Sequence, residues 1–327
     1  MSTKTLGIDI SKETYDVALL YNERYQMGNF NNNGQGHRSL AKWLKKRQAK
    51  SAHVCIEATG RYGDAVATFL YERGYEVSVV NPARIKAYGD SQLKRNKTDP
   101  EAAKTIAHFC ATQKPPLWAP PPPEIQELQA LTRRLEILKA DRTRELNRKK
   151  SGMSSQVVLQ NIEEHIAFLD EQIAAIEKQV DDLIKTHPDL RRQHDLLTSI
   201  KGVGKITASK FLAEVPDISR FESASQLAAY AGLTPRVHQS GSSVHRRARL
   251  SKTGNSHLRT ALFMPALSAM RSNPIVRALA ERLEERGKEP MTIVGAAMRK
   301  LIHLAFGVLK TGMPFDPNYL VNVQETA

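Results

Sequence analysis

The sequence predicts an α/β domain at the N-terminus, a helical connector and a mainly α-helical C-terminal domain. Short apolar runs alternate with amphipathic stretches over residues 1–113, which is typical of strands that alternate with helices. Six prolines lie within residues 114–123, and an apolar heptad pattern follows over residues 124–187. Residues 188–327 are predicted to form helices separated by Gly-rich breaks.

The N-terminal domain is predicted to begin with an antiparallel meander that leads into parallel strands. Its first two apolar runs are separated by only a short polar stretch, and a third strand-like run follows at once. This strand order occurs in RNase-H-like folds. The predicted strands cover residues 6–10, 15–20, 24–30, 52–57 and 76–80, and the predicted helices lie around residues 37–48, 62–73 and 100–112.

The connector is predicted to be an extended Pro-rich linker followed by coiled-coil helices. Proline fixes φ and lacks a backbone donor, so residues 114–123 should not be helical. Two helices separated near Ser151 and Gly152 could pack together as an antiparallel hairpin or pair with another protomer, and the pattern leaves both open. The apolar seam positions are Ile125, Leu128, Leu131, Leu135 and Leu138, then Ile162, Ile166, Leu169, Ile173, Ile176, Val180 and Leu183.

The composition favours a polyanionic partner. Lys and Arg number 48 against 34 Asp and Glu, which gives a net charge of +14 and indicates nucleic acid rather than an acidic metabolite. Cys55 and Cys110 are far apart in sequence and predict neither a disulfide framework nor a zinc site, so both are expected to be buried as small apolar groups. No apolar run approaches the roughly 18 to 20 residues that span a bilayer, so a cytoplasmic, bacterial protein without a membrane partner is expected.

Three carboxylates in the N-terminal domain predict a metal site. Asp9 lies inside an apolar strand, Glu57 ends another, and Asp99 precedes Pro100 at a predicted helix start. At one edge of a sheet they could hold Mg²⁺ (or Mn²⁺), although each alone also suits a helix cap or a local salt bridge. Residues 7–12 are also similar to the first phosphate-loop strand of actin-like ATPases, but no second Gly-rich phosphate loop follows.

Residues 200–208 resemble the hairpin of a helix-hairpin-helix element. Its glycines would let backbone N–H groups approach a DNA phosphate, with Lys201 and Lys205 beside it. An ordinary connection between two helices is the alternative.

A polar, basic loop is predicted between Pro235 and His257. No acidic residue lies from Arg236 to Arg259, so this segment is either a solvated basic face or the surroundings of a transferring phosphate. Ser240 in this loop is a candidate nucleophile. The positively charged or titratable residues are Arg236, His238, His245, Arg246, Arg247, Arg249, Lys252, His257 and Arg259.

These motifs together resemble the insertion-sequence-110 (DEDD) transposase family over nearly the whole chain. The resemblance implies a RuvC-like domain that holds Mg²⁺ through four acids, and a C-terminal transposase domain whose serine links covalently to DNA. The matching segments are Gly7-Ile8-Asp9-Ile10-Ser11, Glu57-Ala58-Thr59-Gly60, Asn81-Pro82, Lys97-Thr98-Asp99, Leu227 through Pro235, Gln239-Ser240-Gly241 and Ser251-Lys252-Thr253-Gly254-Asn255.

The resemblance assigns Asp9, Glu57 and Asp99 as the first three acids. The fourth is expected at position 102, where this chain has Ala102, preceded by Glu101. Because one step along a helix turns a side chain by about 100°, weakened activity is favoured over replacement by Glu101.

The resemblance also assigns the nucleophile and the partners. Ser240 is the implied nucleophile, with Ser242 and Ser243 as less favoured substitutes. Target DNA, donor DNA, a structured noncoding guide RNA and a homo-oligomer, either dimer or tetramer, are the implied partners. The predicted function is an RNA-guided, serine-dependent recombinase. A junction-resolving nuclease of RuvC type and a nucleic-acid-binding scaffold with a decayed acidic site remain the alternatives.

Overall fold

The computed structural model describes residues 4–58, 60–92, 98–152, 155–240 and 244–318, without the side chains of residues 61, 236–240 and 244–249. The chain divides into two compact units, Met1–Pro120 and Pro121–Ala327. The division falls inside the Pro-rich segment. Before it, Trp118 is held on the first unit, where its backbone N–H donates to the carbonyl of Val77 at 2.6 Å and its ring meets Tyr71 edge-on.

The first unit contains a five-stranded sheet in the order β3-β2-β1-β4-β5. The pairs β1–β2 and β2–β3 are antiparallel, whereas β1–β4 and β4–β5 are parallel. This confirms the predicted meander that leads into parallel strands. The strands are β1 (Thr5–Ile10), β2 (Thr14–Tyr21), β3 (Arg24–Asn31), β4 (His53–Glu57) and β5 (Glu76–Val80).

Helices cover both faces of this sheet. Leu40 and Leu44 of α1 and Leu70 of α2 join the apolar cluster formed by one face of β1 and β4, while α4 packs on the other face. A helix directly after Asn81 was not predicted, although Pro82 at its first turn and the Asn81 cap are a usable signal. The helices are α1 (Gly34–Lys46), α2 (Asp64–Tyr71), α3 (Pro82–Ser91) and α4 (Asp99–Gln113), with a 3₁₀ turn at Gly60–Gly63.

Gly7 lets α4 approach the sheet closely. A Cβ atom at Gly7 would lie 2.2 Å from the carbonyl oxygen of Ala103 and 2.3 Å from the nitrogen of Ala107. The hydroxyl of Thr5 also donates to the carbonyl of Ala107 at 3.2 Å. Gly7 therefore serves helix–sheet packing, which explains its place in the strand without any phosphate loop.

The second unit begins with two long helices, α5 (Pro123–Lys150) and α6 (Gln156–Thr186), that pack as an antiparallel hairpin. Leu135, Leu138, Leu169 and Ile173 form the buried seam between them. Of the two arrangements that the heptads left open, the single chain shows the intramolecular one. Ion pairs cross the hairpin between Lys139 and Glu177, Arg142 and Asp170, and Lys149 and Glu163.

The rest of this unit is helical and surrounds α13, with one two-stranded sheet. The segment predicted as a basic loop is instead an antiparallel β-hairpin, so that prediction was wrong. The elements are α7 (Pro188–Thr198), α8 (Lys205–Glu214), a 3₁₀ turn (Ile218–Arg220), α9 (Ala224–Tyr230), β6 (Pro235–Ser240), β7 (Val244–Leu250), α10 (Ser256–Ala261), α11 (Phe263–Ser272), α12 (Pro274–Glu285) and α13 (Pro290–Thr311).

Helix α13 corrects the expectation that no segment is long and apolar enough to span a bilayer. Its 22 residues pass that test by length and composition among the described residues. Half of the tested window is buried inside the unit, with Ile293, Leu301, Ile302 and Val308 in the main apolar cluster or core. This burial is typical of a core helix in a globular unit, so α13 is weak evidence for a membrane segment.

Candidate functional site

Asp9 and Glu57 lie side by side at the carboxyl ends of two parallel strands. The register pairs Thr5 with His53 and Gly7 with Cys55, so the next residues on that face are Asp9 and Glu57. Both side chains are half-buried. Neighbouring carboxylates at strand ends can share one cation, which lowers the cost of burying their charge.

The N-terminus of α4 lies at the same edge. Ala103 and Ala107 both contact the backbone at Gly7, on the face of the sheet that carries Asp9. Asp99 is the first residue of α4 and lies one turn before Ala103, so it extends the same side of the helix toward the strand ends. The free N–H groups of this first turn also favour negative charge.

Position 102 faces the β4 side of α4. Ala102 lies one turn before Ile106, which packs with Cys55 and Val80 of the two parallel edge strands. A carboxylate at this position would therefore be directed toward the strand that ends in Glu57. Ala102 offers no oxygen there.

Glu101 lies on a different side of α4. Its carboxylate pairs with Lys104 at 2.6 Å. Burial raises the pKa of Tyr25 in β3, and the negative charges of Tyr88 and Glu101 raise it further. Glu101 precedes Ala103 by two residues, which is about 200° around the helix from the side that faces Gly7, and this argues against it as a substitute for the acid expected at position 102.

Asp16 is a carboxylate of this edge that the sequence analysis missed. It lies directly opposite Asp9 in the β1–β2 register, and opposed residues of antiparallel strands share a face. Asn29 donates to its Oδ1 at 3.1 Å, which orients it. Only the cross-strand register reveals this proximity, since Asp16 alone has no distinctive sequence context.

A second group of possible metal ligands lies under α4. The ligand atoms of His53, Cys55 and Cys110 all lie within 4.8 Å of one another, and all three residues are buried. The sequence analysis expected no zinc site at these cysteines and did not predict that His53 lies beside them, whereas both cysteines are buried as expected. The hydrogen bond with Cys55 and burial raise the pKa of the Cys110 thiol, and His53 bonds Ser78 at 2.8 Å. Nitrogen and sulfur ligands suit Zn²⁺, whereas Mg²⁺ prefers oxygen. This group is therefore chemically distinct from the sheet edge that carries Asp9, Glu57 and Asp99, which is called the carboxylate edge below.

Ser240 is the last residue of β6 and lies opposite Val244 in the hairpin register. Arg236 is opposite Arg249, and His238 is opposite Arg246. The side chains of these residues, the side chain of Arg247, and Ser242 and Ser243 lie outside the described part of the structure.

A polar network around the buried Glu214 lies at the base of this hairpin. Glu214 accepts from Arg133 at 3.3 Å and from the Asn255 side chain at 2.7 Å. Asn255 also donates to the hydroxyl of Tyr230 and caps α10 by accepting from Leu258 N–H. These residues come from distant segments, so no local signal marks the network.

Helix α13 packs against the two chain segments at the base of the β6–β7 hairpin. Arg299 donates to the carbonyl of Leu233 at 3.3 Å, and Leu250 packs against Gly295. Arg259 donates to the carbonyl of Ala231 at 3.0 Å, so this guanidinium is engaged in the protein rather than directed wholly to solvent. Lys252, in contrast, is exposed at φ 55°.

The turn from α7 to α8 presents Lys201 and Lys205 to solvent. Gly202 has φ 100°, and a Cβ atom there would lie 2.7 Å from the Cβ of Ala269. The buried Asn273 donates to the carbonyl of Lys201 at 3.2 Å. The turn is therefore fixed against α11 and α12 while its two lysines stay accessible.

Glu136 links α5 to α8 and α10. It pairs with Lys210 at 2.9 Å and with His257 Nδ1 at 3.2 Å. Burial acts to raise the pKa of Glu136, but the hydrogen bonds and charges of Lys210 and His257 outweigh it and hold the pKa below its usual value.

Comparison with known proteins agrees with this organisation. Residues 6–156 match the DEDD transposase family of IS110 elements, and residues 194–281 match the "Transposase IS116/IS110/IS902 family". The pilin gene-inverting protein of Moraxella bovis is 35% identical over 319 residues, which cover 97% of this chain and 98% of that protein.

Two insertion-sequence relatives extend the comparison. The transposase of insertion sequence element IS1111A from Coxiella burnetii is 25% identical over 82% of this chain and 78% of that protein. The IS110 43.6 kDa protein of Streptomyces coelicolor is 33% identical over 40% of this chain and 32% of that protein. The chain therefore belongs to the IS110 family of transposases.

Proposed function

We propose that this transposase cuts and rejoins DNA with two chemical centres, a divalent-metal centre at the carboxylate edge and the nucleophile Ser240. The observation that carries the proposal is that Asp9 and Glu57 each follow the last paired residues of two adjacent parallel strands, Ile8 and Ile56, with Asp99 at the start of α4. Family membership indicates a divalent metal for this domain.

The residues at this edge fit Mg²⁺ (or Mn²⁺). All the donors are hard carboxylate oxygens, and Mg²⁺ commonly uses one or two protein carboxylates and completes its shell with water and phosphate oxygens. Asp9, Glu57 and Asp99 would hold the ion, and the absence of an acid at Ala102 weakens its binding. When bound, the ion supplies positive charge that stabilises the oxygens of a transferring phosphoryl group.

Ser240 would form and then release a covalent link to DNA. Its Oγ loses a proton to a base and bonds to phosphorus, while the bond from phosphorus to one deoxyribose oxygen breaks and that oxygen takes a proton. A hydroxyl of another strand then reverses these steps and releases the serine. The basic residues of the hairpin and its base, Arg236, Arg246, Arg247, Arg249 and Lys252, would stabilise the negative charge on the phosphoryl oxygens.

Target DNA, donor DNA and a structured noncoding RNA are the proposed partners. The net charge of +14 and the accessible Lys201 and Lys205 support contacts with phosphates, while base pairing by the RNA would select the sequences. A dimer or tetramer, formed through α5 and α6, would bring several DNA strands together. The name of the Moraxella relative adds DNA inversion to transposition as an outcome of the same chemistry.

The test is whether Ser240→Ala abolishes the covalent protein–DNA adduct. Wild type and variant are incubated with flanking DNA, copurified RNA and Mg²⁺, then denatured, and the DNA bound to protein is measured. We expect adduct with wild type and with the matched Ser242→Ala and Ser243→Ala controls, and none with Ser240→Ala. Adduct formation by Ser240→Ala refutes the assignment. Cleavage that persists without any adduct favours a RuvC-type nuclease, in which water attacks.

A further inference from the structure

We propose that the exposed side of α1 is a second nucleic-acid surface, which binds the phosphodiester backbone of a DNA duplex. The proposal rests on the proposed function and adds a surface in the N-terminal unit. The stripe is defined by Arg38, Lys42, Lys45 and Lys46, all of which are exposed.

The spacing places these cations on one side of the helix. Arg38, Lys42 and Lys45 follow each other at intervals of four and three residues, so they fall within one narrow sector. The helix rises about 1.5 Å per residue, so the three span roughly 10 Å along its axis. That length covers about three base pairs, at roughly 3.4 Å per phosphate on one strand.

The charge of this stripe is not balanced locally. The sequence from Arg24 to Ile56 contains seven Lys and Arg residues and no Asp or Glu. Within the part of the chain that the structure describes, no carboxylate forms an ion pair with a residue of the stripe. A solvated helix face usually carries both signs, which stabilise each other at spacings of three and four.

The buried side of α1 fixes the direction of the stripe. Leu40 and Leu44 are fully buried against the sheet, so the stripe is held outward. Asn33 caps the helix, and the neighbouring Asn32 donates to the carbonyls of Ser11 and Tyr62 at 3.1 and 3.0 Å.

Those two carbonyls follow β1, which ends at Ile10 directly after Asp9, and β4, which ends at Glu57. The Arg38 end of the stripe thus lies nearer the carboxylate edge, and the Lys45 end lies farther from it.

A duplex fits this surface better than a membrane does. All of α1 is described, and it exposes no large apolar side chain beside the cations. A helix that binds a membrane surface needs such an apolar face in addition to its charges. Trp43 is only half-buried, but Arg47 stacks on its ring at 3.8 Å and covers it.

The experiment measures duplex binding by the full-length protein as a function of salt. The stripe variant carries Arg38→Gln, Lys42→Gln and Lys45→Gln. The matched control carries Lys178→Gln, Lys185→Gln and Lys288→Gln, which remove the same charge from exposed positions elsewhere. Each phosphate contact contributes about 0.9 to the slope of log K against log salt on B-DNA, so we expect the stripe variant to lose about 2.7 from the slope. Its affinity should fall at least about tenfold near 0.1 M salt, with little change in the control.

A charge-preserving variant guards against misfolding. Arg38→Lys, Lys42→Arg and Lys45→Arg together should keep the wild-type slope, because point-charge contacts with phosphate accept either cation. Equal slopes for the stripe variant, the control and wild type overturn the proposal. So does a stripe variant that loses binding to anionic vesicles but keeps wild-type binding to duplexes.

DNA and RNA duplexes of one sequence are assayed separately to identify the source of the phosphates. A loss with the DNA duplex, alone or together with the RNA duplex, supports the proposal, and a loss confined to the RNA duplex overturns it. These readouts do not need Ser240 chemistry. Failure of the adduct test and failure of this binding test are therefore distinguishable.

Discussion

Gly7→Ala tests whether the close approach of α4 positions the carboxylate edge. The added Cβ would meet two backbone atoms, the oxygen of Ala103 at 2.2 Å and the nitrogen of Ala107 at 2.3 Å. Neither atom can rotate away, so α4 must retreat by about 1 Å to restore ordinary contact. Overpacking of this kind costs about 1–3 kcal/mol of folding stability.

The same retreat moves Asp99 away from Asp9 and Glu57. Misplacement by about 1 Å can lower a reaction rate roughly a hundredfold, so we expect a larger loss in metal-dependent DNA cleavage than in the folded fraction. Urea denaturation gives the stability, and cleavage is assayed at a temperature where the variant is folded.

Gly89→Ala in α3 is the matched control. Its Cβ would have ordinary contact, 3.6 Å from the Thr105 side chain, and alanine favours a helix over glycine by about 0.5–1 kcal/mol. The control should therefore retain cleavage and gain slight stability. A Gly7→Ala protein with wild-type stability and wild-type metal-dependent cleavage would show that α4 does not set the geometry of the edge.

Three further predictions concern single side chains. Ala102→Asp should tighten Mg²⁺ binding and raise metal-dependent cleavage; titration calorimetry measures the first, and unchanged binding would contradict the assignment of position 102. Glu214→Ala should lower the free energy of unfolding, measured in urea, by about 2–4 kcal/mol, because it leaves the partly buried Arg133 and an Asn255 donor without their acceptor. A loss below about 0.5 kcal/mol would show that the network is not stabilising. The pKa of Glu136 is lower in the folded state than in the unfolded state. Its contribution to the free energy of unfolding is therefore complete above the ordinary glutamate pKa of about 4.3, and it is lost as the pH falls from there through the lower folded-state pKa. Glu136→Gln should flatten that acid-side decline in stability, and an unchanged pH profile would show that its ion pairs contribute nothing.

Much of the first unit could be predicted because its physical signals are local. Apolar runs of strand length and an Asp–Pro helix start located the five strands and α4. The rule that adjacent parallel strands end at one edge then brought Asp9 and Glu57 together. Asp16 was missed because its proximity depends on antiparallel register, and the pair Cys55 and Cys110 was missed because it depends on how α4 packs.

The second unit was harder to predict at its chemically important parts. The strands β6 and β7 are rich in Arg and His and lack an alternating apolar face, so a two-stranded hairpin resembles a polar loop in sequence. The contact between Glu214 and Asn255 joins residues 41 positions apart, and no motif links them. Only the packing of several helices defines these neighbours.

The length of α6 can be compared with the axial length of a DNA helical turn. Its 31 residues extend about 46 Å at a rise of roughly 1.5 Å per residue. That is the axial length of about 13 base pairs at roughly 3.4 Å each, which is more than one helical turn of B-DNA. Buried apolar contacts and ion pairs to α5 stiffen α6, so a displacement of its Gln156 end is transmitted to its Thr186 end with little bending. A displacement at the Gln156 end of α6 is thereby coupled to its Thr186 end, about 46 Å away, where α7 begins the rest of the unit.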